Sequence, residues 1–283
     1  MTLLSLALAA LAASVCALIA LRARDALAER GEWRRLAALQ PDSPAPYDPA
    51  MVAGLPEAAQ RFFNFAIRPG TPLLTVAEIG MGGEFSLGSR AQPNYRPMAA
   101  RQILAAPQGF LWTLQIPGAV PLSGSDSGRW TRFRILGLIP VARIGDDADH
   151  ARAAYGRYVA EALLWTPAAL LPAPGITWTA VDSDTARVTV AHAGLSQTVE
   201  LRVDAAGQPA DIRFLRWTNA NPERKYRLQP FGALPGDFRE VEGFRLPFRV
   251  DAGNLFGTDA YFPFFKARLS ALRFPPPPPR RVS

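Results

Sequence analysis

Residues 2–21, TLLSLALAALAASVCALIAL, run without a charge and are closed by Arg22 and Arg24. As a helix rising about 1.5 Å per residue, such a run reaches about 30 Å, the thickness of a bilayer's hydrocarbon core. Apolar positions then recur among charges in residues 22–39, at Leu27, Trp33, Leu36 and Leu39. A basic stretch with Trp beside a span fits either an interfacial helix or a solvated stalk. In LPEAAQRFFNFA (55–66), Leu55, Ala58, Ala59, Phe62, Phe63 and Ala66 share one face, which predicts a short packed helix.

Beyond residue 66 the period falls to two. Phe110, Trp112, Leu114 and Ile116 fall on one side of GFLWTLQIP, and Val188 and Val190 alternate with Arg187 and Thr189. Val199, Leu201 and Val203 alternate with polar neighbours, as do Ile212 and Phe214. Such alternation marks strands with one buried and one wet face, the usual signature of antiparallel sheets. Turn residues at 182–184, 192–194 and 205–207 join consecutive strands by short links, so a meander of hairpins is expected. One long helix interrupts it near Asp147–Trp165. Asp146, Asp147 and Asp149 cap its start, Tyr155, Tyr158, Val159, Ala162 and Leu163 form its apolar stripe, and Pro167 ends it. The predicted fold is α+β: a curved antiparallel sheet, half-barrel-like, gripping one long helix and preceded by a transmembrane helix.

The expected organisation is an anchor and juxtamembrane helix over 1–40, a stiff proline-rich linker over 41–54, one domain over 55–274 and a polyproline tail over 275–283. An uncleaved anchor is the reading adopted for the N-terminus. A cleavable signal would need a basic n-region, and the one tidy A-x-A site, Ala26–Ala28, lies beyond the first arginines. A lipidated cysteine would follow the apolar core, whereas Cys16 sits inside it. Arginines after the span argue for a cytoplasmic domain by the positive-inside rule.

Composition changes this picture little. With 49% hydrophobic residues, the 283-residue chain has ample material for a packed core. Cys16 is the only cysteine, so no disulfide forms within the chain. The net charge of +7 invites a nucleic-acid reading, but about half of it lies in residues 1–40 and in Arg280 and Arg281. The remaining arginines are scattered through strands rather than gathered on one face, which argues against nucleic acid. Juxtamembrane arginines suit anionic lipid headgroups better.

Candidate chemistry is sparse. His150 and His192 have no ligand spacing around them, so neither a metal nor a cofactor is implied. No G-x-S-x-G elbow is present: SGSDSG at 123–128 reads as a flexible turn, and MGG at 81–83 lacks the lysine of a phosphate loop. Asp237, Glu240 and Glu242 could serve acid–base chemistry if one were buried, and otherwise form a solvated strand edge. Arg157 and Glu161, spaced i, i+4, have the geometry of a helix-surface ion pair. If Glu161 turned inward, its partner would have to be a sheet arginine. Phe110, Trp112, Phe133, Trp178 and Phe214 share inward parity, and either fill the core or wall a cavity for an acyl chain or another apolar ligand.

LPEAAQRFF, GFLWTLQIP, ILGLIPVARIGDD, RYVAEALLWTPAALLP and GDFREVEGFRLPFRV follow one another in an order that resembles an uncharacterised bacterial family of membrane-anchored proteins, a domain of unknown function. The resemblance covers about residues 55–274. Its most specific piece is Arg157, Tyr158, Glu161, Trp165 and Pro167 with Leu170-Leu171-Pro172. More distantly, the architecture resembles the half-barrel of bacterial lipoprotein carriers, whose apolar inner face shelters lipid chains. That resemblance implies a single-pass protein of the bacterial inner membrane, and it favours the opposite membrane face from the charges, so the side is open. The reading that follows is non-catalytic binding of a lipid or other hydrophobic ligand, with membrane lipids as partners. Its rivals are a carboxylate enzyme acting on a membrane-associated substrate and an interaction module of an envelope complex.

Overall fold

The computed structural model describes residues 2–277. One antiparallel sheet of 13 strands organises them. The chain builds outward through β1 (Ala77–Ser86), β2 (Tyr95–Ala105), β3 (Gly109–Ile116), β4 (Leu122–Ser127), β5 (Trp130–Ile135) and β6 (Ile139–Gly145). Helix α3 (Ala148–Trp165) then crosses to the far edge. The return runs through β7 (Ile176–Ala180), β8 (Thr185–His192), β9 (Leu195–Val203), β10 (Pro209–Thr218), β11 (Arg227–Val241), β12 (Phe244–Asn254) and β13 (Phe262–Arg273). Pairing of β13 with β1 is the one non-sequential joint, so the fold is two meanders zipped at their centre. Because α3 touches β2 and β3 as well as β9, β10 and β12, the sheet must curve around it.

Local chemistry explains the elements. Asp147 caps α3, its Oδ1 accepting the His150 backbone N–H at 2.8 Å. Tyr155, Tyr158, Val159, Ala162 and Leu163 are all buried against the concave face, as their spacing predicts. Tight turns join the hairpins: Ala193–Gly194 and Glu242–Gly243 take left-handed φ values of 50°, 80° and 51°, 89°. A Cβ at Gly243 would also meet Thr71 Oγ1 at 2.2 Å, so glycine is required there twice over. Helix α2 (Glu57–Ala66) buries Phe62 and Phe63 against Trp178 at the β7–β8 end.

SGSDSG is a strand, not a flexible turn: Leu122–Ser127 form β4, whose alternation sends Asp126 to the concave side and Ser125 to the convex one. Residues 22–37 also depart from both readings of them. They continue the apolar run as one helix, α1 (Leu3–Ala37), and its C-terminal half docks across the convex face. Asp25, Glu32 and Leu36 are buried, and Trp33 donates its Nε1–H to Glu78 at 2.8 Å. A repeat of arginines and glutamates hid this face, because charges on the sheet join apolar residues as its partners.

The stretch 41–54 packs on the domain, with Tyr47 buried and its hydroxyl donating to Asn64 Oδ1 at 2.8 Å. Pro275 is buried beside Gln40, whereas residues 278–283 of the expected polyproline tail lie outside the described residues. The N-terminal part of α1 projects unburied, with a mean hydropathy of 2.5 over its most apolar 18-residue window, long and apolar enough to cross a membrane.

Candidate functional site

A cavity of about 220 Å³ lies between α3 and the concave face. Trp112, Phe133, Phe214, Phe231 and Phe264 supply its aromatic wall, with Ala233, Val250 and Ala252 as small floor residues. Of the five aromatics with inward parity, Trp112, Phe133 and Phe214 line this space. Phe110 and Trp178 do not. Phe110 is wholly buried beneath Tyr158, and Trp178 sits among α2 phenylalanines with its Nε1–H donated to Leu170 O at 2.9 Å.

A polar row crosses the floor under α3. Strand register aligns Gln102, Trp112, Asp126 and Thr131 across β2, β3, β4 and β5. Arg157 reaches down from α3 onto this row, its Nη1 donating to Asp126 Oδ2 at 2.8 Å and its Nε to Glu161 Oε1 at 2.7 Å. Gln102 Nε2 donates to the other Glu161 oxygen at 2.6 Å, and the Thr131 hydroxyl to Asp126 at 2.6 Å. His150 closes the row, its Nε2 lying 3.1 Å from Thr131 Oγ1.

The Arg157–Glu161 pair is therefore not a helix-surface pair but part of the cavity lining. Glu161 turns inward and still keeps its helix partner, and the sheet contributes a carboxylate, Asp126, rather than an arginine. Burial alone would lower the Arg157 pKa, but the two carboxylates outweigh it and hold the guanidinium above its usual value.

Arg216 of β10 also lines the cavity. It stacks on Phe231, 5.0 Å from the ring centroid, and no ion pair engages it among the described residues. Burial, and then the charge of Arg157, push its pKa down to about 10, still protonated at neutral pH. Its Nε and the Trp112 Nε1 are buried without a hydrogen-bond partner among the described residues. Sequence reasoning passed over Arg216 and Asp126. A signal for Arg216 was present: it continues the inward parity of Ile212 and Phe214.

The remaining acid–base candidates lie on the surface. Asp237 pairs with Arg239 and Glu240 with Arg68, each at 2.7 Å and each exposed, while Glu242 accepts from the Phe274 backbone N–H at 3.4 Å. His192 ends β8 in the open.

Fold and site together define an α+β domain whose open antiparallel sheet shelters an aromatic-walled cavity with an arginine–carboxylate cluster. The chain belongs to a family of unknown function, DUF6544, whose model matches residues 45–267. No curated protein matches it. Among solved structures it is similar to a LolA superfamily protein, NE2245, from Nitrosomonas europaea, at 10% identity and a TM-score of 0.42. That match covers 77% of this chain and 91% of the other. A DUF1329 family protein from Desulfovibrio piger is similar at 10% identity and a TM-score of 0.39, covering 81% of this chain and 94% of its own.

Proposed function

We propose that this protein is a membrane-anchored, non-catalytic binding protein for a lipid or other hydrophobic ligand, held in the cavity under α3. The observation that carries the reading is a cavity walled by aromatic and aliphatic side chains in the middle of a well-packed sheet. Protein interiors rarely keep such space, and an apolar one gains from an apolar guest. Each methylene withdrawn from water contributes about 0.8 kcal/mol. At about 220 Å³ the cavity is smaller than most ligand sites, so it suits one acyl segment rather than a whole two-chain lipid. The apolar part of α1 serves as the anchor, bringing the domain beside its source of ligand.

The rival carboxylate enzyme finds less support. Its exposed candidates lack the desolvation that tunes a catalytic carboxyl, and both cavity carboxylates are held by Arg157.

The test is titration of the full chain in lipid nanodiscs with an environment-sensitive fluorescent acyl probe, with empty nanodiscs subtracted. Saturable one-to-one binding that is lost in Ala233→Leu, at an unchanged melting temperature, is the expected result. Equal signals from both proteins would place the probe in the bilayer and remove the reading.

A further inference from the structure

The cavity's polar groups are unequal in what they lack. Each nitrogen of Arg157 has a partner: Nε and Nη1 serve the two carboxylates, and Nη2 faces Gln102 Oε1 at 3.5 Å. Each oxygen of Asp126 and Glu161 has a partner too, one accepting from Arg157 and the other from Thr131 or Gln102. The two groups left over, Trp112 Nε1–H and Arg216 Nε–H, are both donors. A guest that satisfies both donors must bring lone pairs, and an ionised carboxylate offers one oxygen to each.

The cavity's four charges balance, Arg157 and Arg216 against Asp126 and Glu161, and Arg216 alone among them makes no ion pair among the described residues. Arg216 is set in the aromatic wall itself, its guanidinium stacked on Phe231. An apolar wall holding a cation without an ion pair is the profile of a site for an amphiphile.

Building on the proposed apolar-binding role, we infer that the ligand is a single-chain amphiphile with a carboxylate head, seated against Arg216 and Trp112 with its tail along Phe133, Phe214 and Phe231. About 220 Å³ holds roughly seven groups of water size at ~30 Å³ each, which points to a medium chain. Because Asp126 and Glu161 compete for the field of Arg216, preference for the charged head is moderate rather than absolute.

Isothermal titration of the full chain in lipid nanodiscs, with octanoate and 1-octanol as probes and empty nanodiscs subtracted, tests this. Octanoate is expected to bind about tenfold tighter than octanol. Arg216→Met should bring octanoate down to the affinity that the same variant shows for octanol, with a melting temperature unchanged from the native chain showing it folded. Arg216→Lys, which keeps the charge but loses the Nε–H, should fall between them. Equal affinities in the native chain, or a preference untouched by Arg216→Met, would overturn the head-group assignment and leave the apolar cavity standing. Binding of neither probe would overturn the cavity reading itself.

Discussion

Asp25 of α1 and Arg134 of β5, 109 residues apart in sequence, meet at 2.8 Å with both side chains almost wholly buried. Arg132 and Arg143 reach the same carboxylate at 3.1 and 2.6 Å. The helix carrying the apolar run is thereby fixed to the convex face of the sheet. Asp25→Ala would strand three guanidinium groups around an empty position, and removing one partner of a buried pair costs about 3–5 kcal/mol. Chemical unfolding of the full chain should show a loss of that order. A change within about 0.5 kcal/mol, typical of a surface site, would mean that the helix is only loosely seated.

The same carboxylate should make helix docking sensitive to acid. Burial alone would raise the Asp25 pKa, but Arg143, Arg132 and Arg134 together hold it below its usual 3.8. A carboxyl whose folded pKa is depressed contributes its full stabilisation above the unfolded value. That stabilisation is lost as pH falls through the folded one. Amide protection factors across residues 25–37, taken relative to the intrinsic exchange rate at each pH, should therefore be flat above about pH 4 and fall below it. In Asp25→Asn that step should vanish, and a step of unchanged size would assign it to another group.

What the sequence made legible follows from the reach of each signal. Alternation in β3, β8, β9 and β10, the α3 stripe and the Asp147 cap are local patterns, and each stands where its periodicity placed it. The chemistry of the site is non-local. Asp126 comes from a run of small residues that reads as a turn until β3 and β5 pair with it on either side. Inward parity in four separated strands is not enough to say which aromatics meet, because α2 and Tyr158 claim Trp178 and Phe110 first. The sheet partners of residues 22–37, such as Glu78 and Arg134, lie more than forty positions away, so no window along the chain contains the reason for their burial.

Cavity aromatics and core aromatics should separate by experiment. Phe110→Ala opens a void in fully packed surroundings and should cost about 3–5 kcal/mol, with probe affinity changed little in the folded fraction. Phe133, half-buried on the cavity wall, should behave in reverse. Its truncation is expected to cost less than about 2 kcal/mol while weakening the acyl probe by about tenfold. Parallel unfolding and titration curves on the two variants check this, and equal effects on binding would remove the distinction.

Arg157 joins α3 to β4 through Asp126 and holds Glu161 of its own helix, so removing it should hurt more than removing the whole cluster. Arg157→Met leaves Asp126 and Glu161 charged under the helix, at an expected cost of about 3–5 kcal/mol. Adding Asp126→Asn and Glu161→Gln to that background removes the stranded charges and should restore at least about half of the loss. A triple variant no more stable than Arg157→Met would show that the cluster acts through packing on Phe110 and Trp112 instead.

Truncation at two points tests what the end of α1 does for the fold. Cutting before Arg22 removes only the projecting apolar run, none of which is buried against the domain. Cutting before Pro41 removes Asp25, Glu29, Trp33, Leu36 and Gln40 as well. Ile103, Leu111 and Trp130 then lose their cover, and Thr75 and Val76 lose the Gln40 side chain that accepts their N–H groups at 3.0 and 3.1 Å. Leu36 alone, with no exposed surface, contributes about 1.5–3 kcal/mol. Fragment 22–283 should therefore melt close to the full chain, and fragment 41–283 at least about 5 °C lower. Coincident melting of the two fragments would show that the convex face stands without its helix, and that residues 22–37 are a tether rather than part of the domain.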